Sequence, residues 1–129
     1  MNNFISPVDN AKKILIADDD HDILEAMKMM LEMEGYDVVT THNGKHVANM
    51  LNHHPDLLLL DIWMSGIDGR DICRKIKSKN STKDVPIIMI SASHEIAKSA
   101  RASGADDFIA KPFQMNEILS KVAEHISAN

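Results

Sequence analysis

The sequence predicts an α/β protein, built on one five-stranded parallel sheet wound with helices on both faces. Three observations lead there. Short apolar, β-rich stretches alternate five times with stretches whose apolar residues recur at helical spacing. One of them, "DLLLLD" at 56–61, is apolar at four successive positions, which suits a strand buried on both faces rather than one with a solvated side. Gly35, Asn43-Gly44, Asp68-Gly69 and Gly104 fall at the changeovers, where turns and helix ends require them. Such strict alternation implies right-handed crossovers between parallel strands.

In chain order, the strands are expected at "KILIA" (13–17), "DVVTT" (37–41), "DLLLLD" (56–61), "PIIMIS" (86–91) and "DFIA" (107–110). After the first strand, Ile23, Met27, Met30 and Leu31 recur at i, i+4, i+7 and i+8, the inner stripe of an amphipathic helix. The second helix, about 44–53, offers Val47, Met50 and Leu51, and the third, about 69–78, offers Ile72, Cys73 and Ile76. A fourth, near 94–103, is Ala-rich and weakly amphipathic. The last carries Ile118, Val122 and Ile126 at i, i+4 and i+8.

Length and composition narrow the function classes. A chain of 129 residues is one domain, long enough to bury roughly 70% of its unfolded surface. Residues 1–11 are expected to be a disordered lead-in and 12–129 the domain. The net charge of −5 argues against nucleic acid, whose phosphates need a basic footprint; Lys75, Lys77, Lys79 and Lys83 are read as a solvated helix end and loop. A single cysteine excludes an internal disulfide, and Cys73 is expected in the core of the third helix. No apolar stretch approaches the roughly 20 residues of a membrane span, and no secretory signal opens the chain, so a cytoplasmic protein without membrane contact is expected. The nine methionines sit mostly at helix-periodic or strand positions and are read as core filler. The seven histidines do not suggest a zinc site: Asn43-Gly44 breaks the helix that His42 and His46 would need, His53-His54 marks a helix end, and His125 follows the periodicity of the last helix.

In open α/β sheets ligands collect at the carboxyl ends of the strands. There the sequence places Asp18, Asp19 and Asp20 after the first strand, Asp61 after the third, Ser91 at the end of the fourth and Lys111 after the fifth. Clustered carboxylates repel unless a cation is present, and Mg²⁺ favours one or two carboxylates with waters and a phosphate oxygen. Lysine and serine opposite them would supply a charge and a donor for phosphoryl oxygens. The constellation suits a phosphoryl group carried on a carboxylate. Asp20 and Asp22 are read as helix-start charges, and Asp106 and Asp107 as turn acids.

"ILIADDD", "LLLLDIWMSGIDG", "IIMISAS" and "GADDFIAKPF", in this order and at these separations, resemble the successive motifs of the response-regulator receiver domain of two-component signalling. The resemblance spans residues 13 to about 127, and suggests a stand-alone, chemotaxis-regulator-like receiver or an excised one, since "SAN" after the last helix leaves no room for an output domain. It implies a (βα)5 flavodoxin-like fold with strand order 2-1-3-4-5. It implies Asp61 as phospho-acceptor, and Asp18, Asp19, Asp61 and the main-chain carbonyl of Trp63 as ligands of Mg²⁺, with Mn²⁺ as a substitute. Ser91 matches the hydroxyl switch position, Phe108 the aromatic switch position, and Lys111 the phosphoryl-stabilising lysine. Gly69 is a structural position, and Pro112 follows a peptide bond expected to be cis. Trp63 and Ser93 occupy the positions that tune dephosphorylation.

The resemblance further implies a histidine kinase or histidine phosphotransfer protein as donor, and a downstream protein target that binds the face of helix four, strand five and helix five. The domain would catalyse its own phosphorylation and dephosphorylation without being an enzyme in the usual sense. Three departures stand out. Ser65 replaces a usual proline, so a looser loop is expected; Gln114 replaces a commoner aspartate cap; and the stretch from Ser91 to Gly104 is short. Two other readings compete. A haloacid-dehalogenase-like Mg²⁺ phosphatase would place its nucleophile in a first-strand D-x-D-x-[TV] motif, but Asp22 stands where Thr or Val belongs. A phosphorylation-independent pseudo-receiver adaptor would not need intact Asp18, Asp19, Asp61, Ser91 and Lys111.

Overall fold

The computed structural model describes residues 11–127. The expected lead-in, apart from Ala11, lies outside the described residues. Five parallel strands, β1 (Lys13–Ala17), β2 (Asp37–Thr41), β3 (Leu57–Asp61), β4 (Ile87–Ser91) and β5 (Asp107–Ala110), form one sheet in the order β2-β1-β3-β4-β5. Helices α1 (His21–Met33), α2 (Val47–Met50), α3 (Gly69–Ser78), α4 (Ala97–Ala102) and α5 (Met115–Ser127) alternate with them.

The leucine run of β3 is explained by its place at the sheet's centre. Leu57 and Leu59 face one core cluster, with Met27 and Leu31 of α1 and Ile118 and Val122 of α5. Leu58 and Leu60 face the other, with Val47, Cys73, Ile76 and Ala100. All four leucines are fully buried, each contributing about 1.5–3 kcal/mol. Strand geometry sends alternate residues to opposite faces, so no position in β3 is left for water.

Helix α1 starts where Asp20 caps it, its carboxylate accepting the N–H groups of Asp22 (3.1 Å) and Ile23 (3.2 Å). Its buried stripe contains Met27 and Leu31 as expected, but Leu24 joins them in place of Ile23 and Met30, which are only half-buried. The expected second helix is broken up. Residues Gly44–His46 and Leu51–His53 are 3₁₀ turns, and only Val47–Met50 is α-helical. Glycine and asparagine at 44, 49 and 52 lower helix propensity, and His54 ends the segment in the left-handed region (φ 56°) before Pro55. The fourth is shortened likewise, with a 3₁₀ turn at His94–Ile96 before α4. Among the described residues no helix is long and apolar enough to cross a membrane.

Two expectations about charged residues are corrected. Lys77 is not solvated: its ammonium donates to the carbonyls of Val85 (2.8 Å) and Lys83 (3.2 Å) and pairs with Asp106 (2.8 Å), whose carboxylate also accepts the Ile87 N–H. It ties α3 to the start of β4 and β5. Asp107 is not a turn acid but a buried carboxylate at the start of β5, gripped from α5 by Lys121 (3.1 Å) and His125 (2.9 Å).

Candidate phosphoryl and metal site

The register of the sheet brings the acidic residues together. Ala17 pairs with Leu60, so one step further Asp18 lies beside Asp61. Both continue the alternation of Ile16 and Leu59, which face the α1/α5 side, and Lys111 likewise continues that of Ile109. Asp18, Asp19 and Asp61 each offer a carboxylate oxygen within 4.8 Å of the others. The Lys111 ammonium reaches across to Asp18 (3.2 Å) and Asp61 (3.6 Å). Its backbone N–H is pinned to the Ser91 carbonyl (2.8 Å), and the Lys111–Pro112 peptide bond is cis.

The three carboxylates differ in environment. Asp18 is fully buried; its Oδ1 accepts the Asp20 N–H (2.9 Å), while its Oδ2 is buried without a hydrogen bond, since Lys111 meets it only as an ion pair. Asp19 is exposed and accepts the Ser65 N–H (3.2 Å). Asp61 is nearly buried, and its pKa is pushed up to about 6, first by that burial and then by the charge of Asp18, with Lys111 pulling the other way. Burial works against the Lys111 ammonium, but Asp61 and Asp18 outweigh it and hold its pKa above the usual lysine value.

A hard divalent cation fits this donor set. It would add a second positive partner beside Asp18 Oδ2, which no hydrogen bond satisfies, and would offset the mutual repulsion of three clustered carboxylates that one lysine only partly neutralises. A second cluster, Asp107 with Glu124 and His125, is close enough to hold a metal, but Lys121 and Arg101 (3.7 Å) already place positive charge on Asp107. Hydrogen bonds from His125, the Phe108 N–H and Lys121 outweigh the effect of burial and lower its pKa.

The loop after Asp61 is a tight hairpin and not the looser connection expected from Ser65. Trp63–Met64 pairs antiparallel with Ile67–Asp68 around Ser65 (φ 50°) and Gly66 (φ 80°). Two successive positive φ values are the mark of a type I′ turn, which a proline with φ near −65° does not enter. The Ser-Gly dipeptide between Trp63-Met64 and Ile67-Asp68 was the sequence signal for it. Behind the hairpin, Gly69 donates its N–H to the Ile62 carbonyl and opens α3, with Asp68 as cap.

Ser91 and Phe108 are placed on the other face of the sheet. Ser91 is buried and its hydroxyl accepts the Ser93 N–H (3.2 Å), its only hydrogen bond among the described residues. Phe108 is half-buried against the cluster that contains Met89 and Ala100. One residue that sequence reasoning passed over, Arg70, joins the hairpin to α4: it pairs with Asp68 (2.6 Å) and donates to the Ser99 hydroxyl (2.7 Å).

Comparison with known proteins agrees with this arrangement. Residues 14–123 match the family described as "Response regulator receiver domain". The chain is 42% identical over 117 residues to the nisin biosynthesis regulatory protein NisR of Lactococcus lactis, covering 88% of this chain and 50% of that protein. It is 37% identical over 113 residues to the DNA-binding dual master transcriptional regulator RpaA of Synechocystis, covering 85% and 47% respectively. The chain thus spans about half the length of these curated relatives. The crystal structure of a putative response regulator from Chloroflexus aurantiacus superposes with a TM-score of 0.86 at 28% identity, covering 91% of this chain and 98% of that one.

Proposed function

Because the chain belongs to the response-regulator receiver domain family of two-component systems, we propose that Asp61 accepts a phosphoryl group from a phosphohistidine donor in a Mg²⁺-dependent reaction. The observation that carries this reading is the placing of Asp61 beside two other carboxylates, under the Lys111 ammonium and at the carboxyl edge of the sheet. Asp18 is the weaker acceptor: it is fully buried and one of its oxygens already holds the Asp20 N–H. This also disfavours a phosphatase with a first-strand nucleophile.

Asp18, Asp19, Asp61 and the Trp63 carbonyl would hold the metal. When bound there, Mg²⁺ would supply positive charge to offset that of the phosphoryl oxygens. An Asp61 carboxylate oxygen attacks phosphorus as the N–P bond of the donor breaks, and the imidazole nitrogen leaves with the electron pair. Lys111 stabilises charge on an equatorial oxygen, and Asp18 keeps that ammonium in place. Even without the metal, with its pKa pushed up to about 6 by burial and Asp18, Asp61 is mostly ionised at neutral pH and so available as a nucleophile. The Ser91 hydroxyl then exchanges the Ser93 N–H for a phosphoryl oxygen, and Phe108 shifts toward the space vacated.

The donor is a histidine kinase or a histidine phosphotransfer protein, and the readout is a changed surface on α4, β5 and α5 that a downstream protein binds. The activity belongs to a cytoplasmic signalling domain. Incubation with acetyl phosphate and Mg²⁺, followed by intact-mass measurement, tests it. One phosphoryl group on the wild type and none on Asp61→Asn is expected; equal labelling of both would remove Asp61 as acceptor.

A further inference from the structure

Arg70 joins three segments that are otherwise separate. Its guanidinium makes a forked contact with Asp68, Nε to both carboxylate oxygens (2.9 and 3.1 Å) and Nη2 to Oδ2 (2.6 Å). Its remaining nitrogen, Nη1, donates to the Ser99 hydroxyl of α4 at 2.7 Å, across a separation of 29 residues in sequence. Its Cζ stands 5.7 Å from the centroid of the Trp63 ring, within range of a cation–π contact. Trp63 and Asp68 face each other in the hairpin ladder, so the guanidinium clasps both strands of the hairpin from one side.

The arrangement is specific in its chemistry. Asp68 fixes the plane of the guanidinium through a charged fork, which leaves one face for the indole and one edge for Ser99. Arg70 and Asp68 side chains are both about one-fifth exposed, so the pair is sheltered from screening more than a surface ion pair is. Trp63 is over half exposed and has no core packing to orient it. Its position two residues after Asp61 therefore depends on the hairpin and on Arg70.

We propose that Arg70 is a positioning residue, which holds the Trp63 side chain beside the acceptor loop and transmits displacement of that loop to α4 through Ser99. The proposal rests on phosphorylation at Asp61 for the second half only. α4 is short, begins from a 3₁₀ turn and has no side-chain cap, so a single hydrogen bond to its first turns is a substantial share of what fixes it.

Trp63 is the only tryptophan of the chain, so tryptophan fluorescence reports the surroundings of this one side chain. In Arg70→Gln, the Asp68 cap to the residue-70 backbone N–H persists, and α3 should remain folded. Acrylamide, a neutral quencher whose approach the lost charge does not bias, should quench Trp63 more strongly in that variant of the unphosphorylated protein, by less than about twofold because Trp63 is already 54% exposed. Ser99→Ala should leave quenching at the wild-type value, because it keeps the Asp68 fork. Hydrogen exchange across residues 94–103, measured with and without acetyl phosphate and Mg²⁺, should change about fivefold in wild type and less than about twofold in Ser99→Ala, with Asp61 labelling equal in both.

Unchanged quenching in Arg70→Gln would overturn the positioning of Trp63. A wild-type exchange response in Ser99→Ala, or no response in a labelled wild type, would overturn the link to α4. If the wild type takes no phosphoryl group, the phosphorylation reading itself fails, and the quenching measurement still decides the role of Arg70.

Discussion

Gly69 lies directly against the backbone of Asp61. A Cβ at residue 69 would stand 2.6 Å from the Asp61 carbonyl oxygen and 3.1 Å from Ile62 Cα, and neither atom can rotate out of the way. The glycine therefore sets how closely α3 approaches the end of β3, and with it the depth of the acceptor carboxylate. Gly69→Ala should cost about 2 kcal/mol, as overpacked sites do, and should slow labelling of Asp61 by acetyl phosphate more than it lowers Mg²⁺ affinity. A thermal melt with a labelling time course checks both. Equal stability and equal labelling would mean that the loop yields without moving the acceptor.

The pKa of Asp61 has a consequence for stability. The carboxyl group titrates near 3.8 when free and about 6 in the fold, so between these values the folded protein keeps a proton that the unfolded chain has released. Its contribution is fully present below pH 4 and is lost as pH rises through about 6. The difference corresponds to roughly 3 kcal/mol by pH 7.5. Asp61→Asn should therefore be more stable than wild type at neutral pH in a chelator, with the gap closing toward pH 4. Mg²⁺ should raise the wild-type melting temperature and narrow the gap, because it binds the folded site. Denaturant melts at pH 4.5 and 7.5 measure this; a constant gap would show that Asp61 does not titrate as described.

Asp107 should behave in the opposite sense. It is as buried as Asp61, but His125, Lys121 and the Phe108 N–H hold its pKa below the usual carboxylate value. Its contribution is present above the unfolded pKa near 3.8 and is lost as pH falls through the lower folded value. Asp107→Ala should cost about 3 kcal/mol at pH 7, the usual cost of breaking a sheltered charge pair, and should release the C-terminal turns of α5. Melting and exchange of residues 115–127 at pH 7 check it. A loss confined to acid pH would contradict the assignment.

The contrast between these two aspartates marks what the sequence could and could not convey. Asp61 was legible because a charged residue ended an apolar run that itself required the centre of a parallel sheet, and strand ends in such sheets face the ligand edge. Strands β1, β2 and β5 and helix α3 were legible at their full extent, since period and punctuation agreed there. Asp107 looked like a turn acid because nothing local reveals that α5 will lay Lys121 and His125 over it. The same holds for the links from Lys77 to Asp106 and from Arg70 to Ser99, each across 29 residues of chain. The second helix was overextended because its apolar positions fit a helical stripe, whereas Gly44, Asn49 and Asn52 deny it the propensity to be one. Patterns of period report burial; they do not report which charge meets which across the fold.

The central claim is that the phosphoryl group resides on Asp61 and on no neighbouring carboxylate. Borohydride reduction of the acyl phosphate, after labelling with acetyl phosphate and Mg²⁺, converts the modified aspartate to homoserine, which peptide mass mapping locates. Homoserine at position 61 alone, and its absence when Mg²⁺ is chelated, is the predicted result. Homoserine at 18 or 19, or none in a protein shown to be folded, would contradict it.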